Sequence, residues 1–446
     1  MKAYRASLLS FSGHGAQAQA HLEDDGLLIV GHPAKHPGRE VVLAAGPYRA
    51  TLAQWNHDHP QHLGEAHIEH LSGRILAPGF VDMHVHYPQL DVIGSPAPGL
   101  LPWLNNYTFP HEQRFTDPTH SAEVAAFFLD ELKRHGVTTA LTFATSHPAS
   151  VNALFEAAQQ RHLRVMTGLC LMDQHTPEGL RNDTQQSLQH TEALIHRWHG
   201  VDRLGYAITP RFVPTCSAAQ LHGAGELAAQ YPDAWIQSHV AENADEIAWV
   251  NTLYPDARSY LSVYEQFGLL RHRAVYAHCL HMDASDRDLL RERQTAVAIC
   301  PTSNLFLGSG FFDYAAAENH GLAYGLASDV GGGTSLSPFA TMLAAFYVAQ
   351  AAAPQQRAAY SAKPQHLWWQ HTAGAAHALG LEGVVGNLTP GCDADVLVLN
   401  PQATPLLARR TAQANNLDEF LFALIVLGDD RVIERTLIAQ RTEGHA

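Results

Sequence analysis

The stretch VDMHVHYPQL, residues 81–90, is the first of eight strand-like runs from which the fold can be predicted. It places His84 and His86 two apart in an apolar run, and Gln89 follows shortly after them. Side chains two apart on a β-strand point to the same face, so both histidines can reach one metal ion. The chain has 30 histidines, however, and such pairs arise by chance, so the stretch alone leaves their role open.

The alternation of strand-like and helical patterns predicts the fold class. Short runs rich in Val, Ile, Leu, Thr and Ala are typical of buried parallel strands. One helical pattern spans residues 121–136, with Ser121 as N-cap candidate, Phe127 on its apolar face and Gly136 as its stop. Strands that alternate with helices in this way predict a (β/α)8 TIM-like barrel. The predicted strands are Pro78–His86, Thr138–Phe143, Arg164–Leu171, Leu204–Thr209, Trp235–His239, Ala274–His278, Ala296–Ile299 and Ala323–Ser328.

The two ends of the chain resemble each other and differ from the middle. Residues 1–75 and 386–446 contain short apolar runs bounded by Gly and Pro, which is typical of strands. We therefore predict one small β-sandwich-like domain made from both termini, at residues 1–75 and 386–446. The catalytic barrel is predicted at residues 76–385.

Composition limits the classes of partner. The formal net charge is -15, from 28 basic and 43 acidic residues, which disfavours nucleic acids and anionic membranes as partners. No stretch approaches the ~18 consecutive apolar residues of a membrane span, and the first residues lack the apolar core of a signal peptide. The five cysteines are widely spaced without a CxxC pair, which indicates reduced thiols, so we expect a cytoplasmic protein.

Polar side chains cluster at the predicted strand ends, where barrels of this class carry their active sites. The cluster consists of His84 and His86 on the first strand, Arg211 after the fourth, His239 and Glu242 at the end of the fifth, His278 on the sixth and Asp329 after the eighth. Three histidines and an aspartate suit Zn²⁺, also tolerate Fe²⁺, and leave a coordination position open for catalysis. The predicted metal ligands are His84, His86, His239 and Asp329.

Two further features bear on the number of metal ions. Residues 56–70 carry five histidines, but this segment is polar and precedes the barrel, so we predict a solvated surface stretch there. The only lysines are Lys2, Lys35, Lys133 and Lys363. None of them lies near the fourth strand, so a carbamylated lysine that bridges two metals is excluded there. A bridging glutamate is not excluded, but no glutamate lies near Arg211 in the sequence. We predict one metal ion.

Several segments resemble the metal-dependent amidohydrolase superfamily and, more closely, the guanine deaminases. The superfamily motifs PGFVDMHVH, SHVAEN, YAHC and ASDVGGG follow the expected order along the barrel. Small departures, such as Ala241 within SHVAEN, do not involve the predicted ligands. The segments that resemble guanine deaminases are HYPQ (86–89), LLPWLNNYTFPHEQRF (100–115), TPRF (209–212), QSHVAEN (237–243), CPTSNLFLGSGFF (300–312) and LGDDRVIE (427–434).

The resemblance implies hydrolytic deamination of guanine to xanthine and ammonia, with zinc as the usual metal and a homodimer as the common assembly. On this hypothesis Asp329 is both a metal ligand and the acceptor of the water's proton. Glu242 carries protons to a ring nitrogen and to the leaving ammonia, as the non-ligand glutamate does in zinc nucleobase deaminases. His278 orients the attacking water and stabilises the tetrahedral intermediate.

Four side chains are candidates for substrate recognition. Arg211 offers fixed N–H donors for the 6-oxo group of guanine, and Gln89 offers a donor and an acceptor for an amide-like ring edge. Phe212 and Trp103 offer flat faces on which a purine can stack. The segment Gly94–Phe115 has no clear periodicity, and a loop of this length is expected to close over the substrate as a lid.

Three alternatives to guanine deamination are weighed. A deaminase of another heterocycle, such as 8-oxoguanine, on the same scaffold is the nearest, and Arg211 together with Gln89 favours an oxopurine. A non-catalytic barrel used for assembly predicts missing ligands, whereas all four ligands and Glu242 are present. A nucleic-acid binder conflicts with the acidic balance and with the lack of a basic stripe.

Overall fold

The computed structural model describes residues 1–33, 38–59 and 62–440 of the chain. The predicted terminal domain also included residues 34–37, 60–61 and 441–446, and these lie outside the described residues. The described strands form two sheets. They are β1 (Lys2–Ser12), β2 (Gln19–Gly31), β3 (Val41–Pro47), β4 (Ile68–Pro78), β5 (Phe80–His86), β6 (Val137–Phe143), β7 (Arg164–Thr167), β8 (Cys170–Leu171), β9 (Gly205–Pro210), β10 (Trp235–Val240), β11 (Ala274–His278), β12 (Ala296–Ile299), β13 (Tyr324–Leu326), β14 (Val396–Leu399) and β15 (Ile433–Leu437).

Parallel strands form the barrel wall in the order β5, β6, β7, β9, β10, β11, β12 and β13, and the short β8 pairs with β9. The wall closes between β5 and the segment after β13. There the N–H of Asp329 donates to the carbonyl of His84 at 2.8 Å, and the N–H of His86 donates to the carbonyl of Val330 at 2.7 Å. The predicted (β/α)8 barrel is confirmed, and each predicted strand overlaps an observed one.

Helices connect the barrel strands and cover the outside of the wall. Within the described ranges, no helix combines the length and the apolar character that crossing a membrane requires. The helices are α1 (Tyr48–Asp58), α2 (Leu100–Trp103), α3 (Phe109–Glu112), α4 (Pro118–Arg134), α5 (Pro148–Arg161), α6 (Thr184–Trp198), α7 (Ala218–Gln230), α8 (Ala244–Leu253), α9 (Tyr260–Gln266), α10 (Ala284–Glu292), α11 (Pro301–Phe306), α12 (Tyr314–Asn319), α13 (Pro338–Ala351), α14 (Pro354–Ala359), α15 (Pro364–Gln370), α16 (Ala373–Ala378), α17 (Pro405–Thr411) and α18 (Leu417–Leu427).

Helix α4 shows where the predicted helix boundaries were inaccurate. The predicted N-cap Ser121 is wrong, because the helix begins one turn earlier, after Asp117. The Asp117 carboxylate accepts a hydrogen bond from the N–H of Thr119 at 2.8 Å, which satisfies one of the free donors of the first turn. Phe127 is 60% exposed, so it does not belong to the buried face. Gly136 follows the helix with a φ of 78°, as the predicted stop requires.

Both termini contribute to the second sheet, whose strand order is β15, β14, β4, β1, β2 and β3. The predicted small β-domain made from both termini is thereby confirmed. Helix α1 is an addition that the sequence analysis missed. It packs against β2 and β3 and buries Tyr48 and Trp55 against Leu27 and Ile29. The helix is short and polar on its outer face, so its apolar residues are too few to give a clear periodic pattern.

We propose the domain division at residues 1–75, 76–385 and 386–446 as the working description of the chain. Two observations refine it. Strand β4 continues three residues past the first boundary, because it leads directly towards β5. Helices α17 and α18 belong to the C-terminal part of the chain, yet α18 packs against α13 and α15 on the barrel. The C-terminal segment therefore covers the barrel surface before it returns to the small sheet.

Buried ion pairs hold the small sheet against the barrel. Arg203, just before β9, donates to the Asp395 carboxylate at 2.9 Å and to the carbonyl of His162 at 2.9 Å. Arg164, at the start of β7, donates to the Asp393 carboxylate at 2.7 Å. Both aspartates immediately precede β14 of the small sheet, so the pairs fix the returning C-terminal segment under the barrel.

Replacing Asp395 with alanine is expected to lower the free energy of unfolding by up to about 3–5 kcal/mol. It removes the carboxylate that both Nη atoms of the buried Arg203 bind and leaves only Asp393, 3.4 Å from its Nε. The matched control is Glu156→Ala, which removes the partner of Arg197 in a pair exposed by 52% and 55%. Its expected effect is only about 0–1 kcal/mol. Chemical denaturation followed by fluorescence measures both changes. Equal effects of the two substitutions would show that the buried pair does not hold the domains together.

Candidate active site

A β-bulge in β5 changes which side chains of this strand point into the barrel. Between Asp82 and Val85 the strand advances three residues while its partner β6 advances only two. An extra residue of this kind re-aims the following side chains. Met83 therefore belongs to the apolar interior of the barrel, whereas His84 and His86 lie above it at the mouth. The Nε2 atoms of these two histidines are 3.1 Å apart.

Four predicted residues converge at the barrel mouth. The Nε2 of His239, at the end of β10, lies 3.3 Å from the Nε2 of His86. The Oδ1 of Asp329 lies 3.2 Å from the Nε2 of His84 and 3.3 Å from that of His86. His278 is slightly farther away, with its Nε2 3.8 Å from the Oδ2 of Asp329. All five side chains are buried or nearly so. The ligand atoms of His84, His239, His278 and Asp329 lie within 4.8 Å of one another. His86 adjoins this group, with its Nε2 3.1–3.3 Å from His84, His239 and Asp329.

The histidine nitrogens at this centre have the form that a divalent metal requires. A carbonyl can only accept, so the contact of 2.7 Å between His239 Nδ1 and the carbonyl of Arg211 requires a proton on Nδ1. The Nδ1 of His278 donates in the same way to the Asn304 side-chain oxygen at 2.9 Å. Both Nε2 atoms therefore point lone pairs at the centre. Burial lowers the pKa of His86 to about 4, which keeps its ring neutral.

Asp329 is held in place by the end of the eighth strand. Its φ is 48°, and His278 has a φ of 72°; both lie in the left-handed region that is uncommon for residues with a Cβ. Burial raises the pKa of the Asp329 carboxyl, but the neighbouring histidines, His84 above all, outweigh it and hold this pKa well below its ordinary value. Asp329 is therefore an anionic ligand candidate. Strained backbone at the strand ends is a common feature of functional sites.

Glu242 is buried beside this centre without belonging to it. Its Oε2 lies 3.3 Å from the Nε2 of His278, and its Oε1 accepts a hydrogen bond from Ser309 Oγ at 3.2 Å. Burial, reinforced by the negative charge of Asp329, raises the pKa of Glu242 to about 8. A carboxyl with this pKa carries a proton at neutral pH, as a general acid requires.

Glu246 supports Glu242, and the sequence analysis missed it. The Glu246 carboxylate accepts hydrogen bonds from the N–H of Glu242 at 2.9 Å, the N–H of Asn243 at 3.3 Å and the hydroxyl of Tyr260 at 2.7 Å. Asn243 caps helix α8 and Glu246 completes the capping box from the third position. The pattern Asn-x-x-Glu at 243–246 was the signal that could have identified it. Glu246 fixes the backbone that carries Glu242.

A cavity of about 410 Å³ opens beside the histidine cluster. All four predicted substrate-binding residues line it: Gln89, Trp103, Arg211 and Phe212. The ring of Phe212 makes an edge contact with Trp249 at a centroid distance of 6.2 Å, which holds it at the cavity wall. The indole N–H of Trp103 is buried and has no hydrogen-bond partner among the described residues. The cavity has the mixed apolar and polar lining of a site for a small heterocycle.

Glu112 lies next to Arg211 in the structure, although no glutamate lies near Arg211 in the sequence. Arg211 donates from Nη1 to one carboxylate oxygen of Glu112 at 2.6 Å and from Nη2 to the other at 3.1 Å. Gln89 donates to the same carboxylate at 2.9 Å. Glu112 thereby links the two candidate recognition residues. It lies within the segment 100–115, and no local pattern in that segment marks it as part of the site.

The predicted irregular loop at Gly94–Phe115 is largely helical, so this part of the prediction is wrong. Helix α2 continues through a π-helical turn at Leu104–Thr108 into α3, and a 3₁₀ turn at Gln113–Thr116 follows. The short pieces differ in helical period, so their apolar side chains follow no single spacing. Trp103 and Leu104 line the cavity from this segment. The helical pieces form one wall of the cavity.

A (β/α)8 barrel with histidines, an aspartate and a protonated glutamate around a cavity at the strand ends has the architecture of a barrel hydrolase that activates water. The model of the amidohydrolase family matches residues 75–441. Guanine deaminase of Escherichia coli K12 is 42% identical over 390 residues, which cover 87% of this chain and 88% of that protein. The chain belongs to the guanine deaminase family of the amidohydrolases.

Solved structures agree with this assignment. The structure of E. coli guanine deaminase superimposes with a TM-score of 0.90 at 39% identity and covers 98% of both chains. A guanine deaminase from C. acetobutylicum, with guanine bound in its active site, gives a TM-score of 0.85 at 27% identity and covers 98% of both chains. The barrel and the terminal sheet are thus found together in relatives of the same length.

Proposed function

We propose that the protein hydrolyses guanine to xanthine and ammonia. The main support for the proposal is that two groups of residues line the same cavity. The histidine–aspartate cluster and Glu242 lie on one side, and the hydrogen-bonding array of Gln89 and Arg211 lies on the other. The names of the relatives support guanine as the substrate. The alternative, a deaminase of another heterocycle such as 8-oxoguanine, has no comparable support.

We infer that His84, His86, His239 and Asp329 hold one metal ion. Contacts of 3.1–3.3 Å join His86 to His84, His239 and Asp329, and His84 to Asp329. Burial lowers the pKa of His86 and His239. Nitrogen ligands with one carboxylate favour Zn²⁺, and Fe²⁺ is also compatible. A metal held there supplies a Lewis acid that makes water reactive near neutral pH. We leave His278 outside the proposed set, although its ligand atom lies within 4.8 Å of those of His84, His239 and Asp329, because its Nε2 also lies 3.3 Å from the Glu242 carboxyl.

The proposed reaction forms a bond between the water oxygen and C2 of guanine and breaks the bond from C2 to the amino nitrogen. Asp329 is anionic and accepts the proton of the attacking water. Glu242 is protonated, so it donates to a ring nitrogen of guanine. The resulting carboxylate takes the remaining proton of the added oxygen and passes it to the departing ammonia, and the proton held by Asp329 then restores the protonated Glu242. His278 orients the water through Nε2 and stabilises the tetrahedral intermediate. Ser309 holds Glu242 on the substrate side of His278.

Recognition of guanine rests on Gln89, Arg211, Phe212 and Trp103. Arg211 offers N–H donors to the 6-oxo group, and the amide of Gln89 faces the ring edge. Phe212 and Trp103 enclose the purine ring. The free N–H of Trp103 also gives the site an additional donor that a bound heterocycle can satisfy.

We propose that the lid is restricted to the first part of the predicted segment. Gly94 and Gly99 have φ angles of 75° and 154°, and a Cβ at either position would meet open space. These two glycines flank the approach to α2, which carries Trp103 over the cavity. Glu112 is tied to Arg211 at the other end of the segment, so the residues after the π-helical turn stay in place.

A homodimer in the cytoplasm is the proposed assembly and location. The resemblance to guanine deaminases supports the dimer, and exposed apolar side chains on α13, α17 and α18 offer a surface for it. These side chains are Tyr347, Leu406 and Val426. All five cysteines are free and buried, and burial raises the pKa of Cys279, which suits a reducing compartment. Light scattering of the purified protein tests the dimer.

The purified protein is expected to convert guanine to xanthine with release of one ammonia per guanine. Loss of guanine absorbance and a coupled ammonia assay measure the two products independently. A parallel panel of 8-oxoguanine and adenine tests the alternative substrates, for which a far lower kcat/KM is expected. Absence of xanthine, or a higher kcat/KM on 8-oxoguanine than on guanine, would refute the proposed function.

A further inference from the structure

Glu112 is a buried carboxylate to which the proposed reaction assigns no task. Its exposed fraction is 0%, and it lies at the end of α3. It accepts three hydrogen bonds, two from Arg211 and one from Gln89. Hydrogen bonds to a buried ionised group are strong, and their geometry is restrictive. A carboxylate at this place orients both residues that face the purine edge.

We propose that Glu112 is the positioning residue that sets substrate specificity at the 6-position of the purine. It does so through Gln89 and Arg211, whose polar groups it fixes in one orientation. The inference rests on the proposed function and names the part of the site that distinguishes a 6-oxo group from a 6-amino group.

The first step concerns the amide of Gln89. An amide can rotate by half a turn and exchange its donor end for its acceptor end. A carboxylate only accepts, so Glu112 requires the NH2 group of Gln89 on its side. The N–H of Gly331 donates to the Gln89 oxygen at 3.1 Å and fixes the other end. A Cβ at Gly331 would lie 2.4 Å from the main-chain carbonyl oxygen of Gln89, so only glycine lets the two backbones approach this closely.

The second step concerns the guanidinium of Arg211. Glu112 binds it through both Nη atoms, and the ring of Phe109 lies 5.1 Å from the central carbon of the guanidinium. The group is therefore held on two sides by α3. The carboxylate also neutralises its charge, which suits a neutral purine. The carbonyl of the same residue accepts the hydrogen bond of His239, so Arg211 connects substrate recognition with the histidine cluster.

The consequence is a fixed pattern of N–H donors at the purine edge. A 6-oxo group accepts from these donors, whereas a 6-amino group places its own N–H groups against them. A buried donor left without an acceptor is destabilising, and fixed polar groups of this kind are the most effective means of rejecting a close analogue. Without Glu112 the orientation of the Gln89 amide depends on the N–H of Gly331 alone, so a turned amide that accepts from a 6-amino group becomes less costly.

The test compares guanine with 2,6-diaminopurine, which keeps the 2-amino group and replaces the 6-oxo group with an amino group. Glu112→Gln is expected to lower the ratio of kcat/KM for guanine over that for 2,6-diaminopurine by at least about 10-fold, which corresponds to 1.4 kcal/mol. The loss for guanine is expected mainly in KM. Glu123→Gln is the matched control, because Glu123 is exposed on α4 and no change in the ratio is expected there.

Two further variants keep the test decisive. Glu112→Asp retains the charge for Arg211 with a shorter side chain, so it preserves folding, and an intermediate fall in the ratio is expected. In a Gln89→Ala background, Glu112→Gln is expected to change the ratio less than in the wild type, because the amide through which it acts is gone. A ratio equal to that of the wild type in both Glu112 variants would overturn the inference, and so would equal losses on both purines. Absence of ammonia release by the wild type would instead refute the proposed function.

Discussion

Replacement of Glu242 with glutamine is expected to lower kcat for guanine by about 10²–10⁴-fold, the usual contribution of a positioned general acid–base group. Glutamine fills the same volume but cannot transfer a proton. Burial and the charge of Asp329 raise the pKa of Glu242 to about 8, so the native carboxyl is protonated at neutral pH and can act as a general acid. Steady-state kinetics with guanine, together with the metal content of the variant, measures the effect.

The metal content separates the two roles that Glu242 could have. It is expected to stay at the wild-type value, because Glu242 contacts His278 and Ser309 rather than the four proposed ligands. Asp245→Asn is the matched control, since Asp245 is exposed in the first turn of the same helix. Its kcat is expected to remain close to that of the wild type. A kcat of Glu242→Gln within about threefold of the wild type would remove this residue from the mechanism, and loss of metal would reassign it as a ligand.

The barrel could be predicted because its strands are marked by local features. Buried parallel strands are continuous apolar runs, and the residue that follows such a run lies at the functional end of the barrel. His239 and Asp329 could be assigned to the site from their positions after such runs, although they are 90 residues apart in the sequence. The same rule applied to Arg211, whose place in the cavity wall agrees with that assignment.

The missed residues act through contacts that no local pattern contains. Glu112 meets Arg211 across 99 positions of sequence and Gln89 across 23. The bulge that directs His84 into the barrel mouth is visible only in the register of two paired strands. Glu246 could more nearly have been identified from the sequence, because a capping box is a local motif. Its importance, however, depends on its burial beside Glu242. Sequence thus identified side chains that line one cavity in the structure but missed those that hold them in place.

The protein is expected to bind one catalytic metal ion per chain and to lose nearly all activity when a chelator removes it. Contacts of 3.1–3.3 Å link the four proposed ligands in one group, and the positions that could carry a bridging lysine hold none. One equivalent of Zn²⁺ is expected to restore the activity of the stripped protein. Elemental analysis and ammonia release, measured on the same samples during titration, relate occupancy to turnover. His239→Ala is expected to lose both the metal and the activity.

A second group of side chains makes a control necessary. His14, His377 and Glu382 are exposed, and their ligand atoms lie close enough together to bind a metal ion. His377→Ala removes this surface group and is expected to retain one metal ion and full turnover. Any extra metal on the wild type that disappears in this variant belongs to the surface. If His377→Ala needs two metal ions for full activity, the site at the barrel mouth is binuclear, and the proposal of a single ion held by His84, His86, His239 and Asp329 fails.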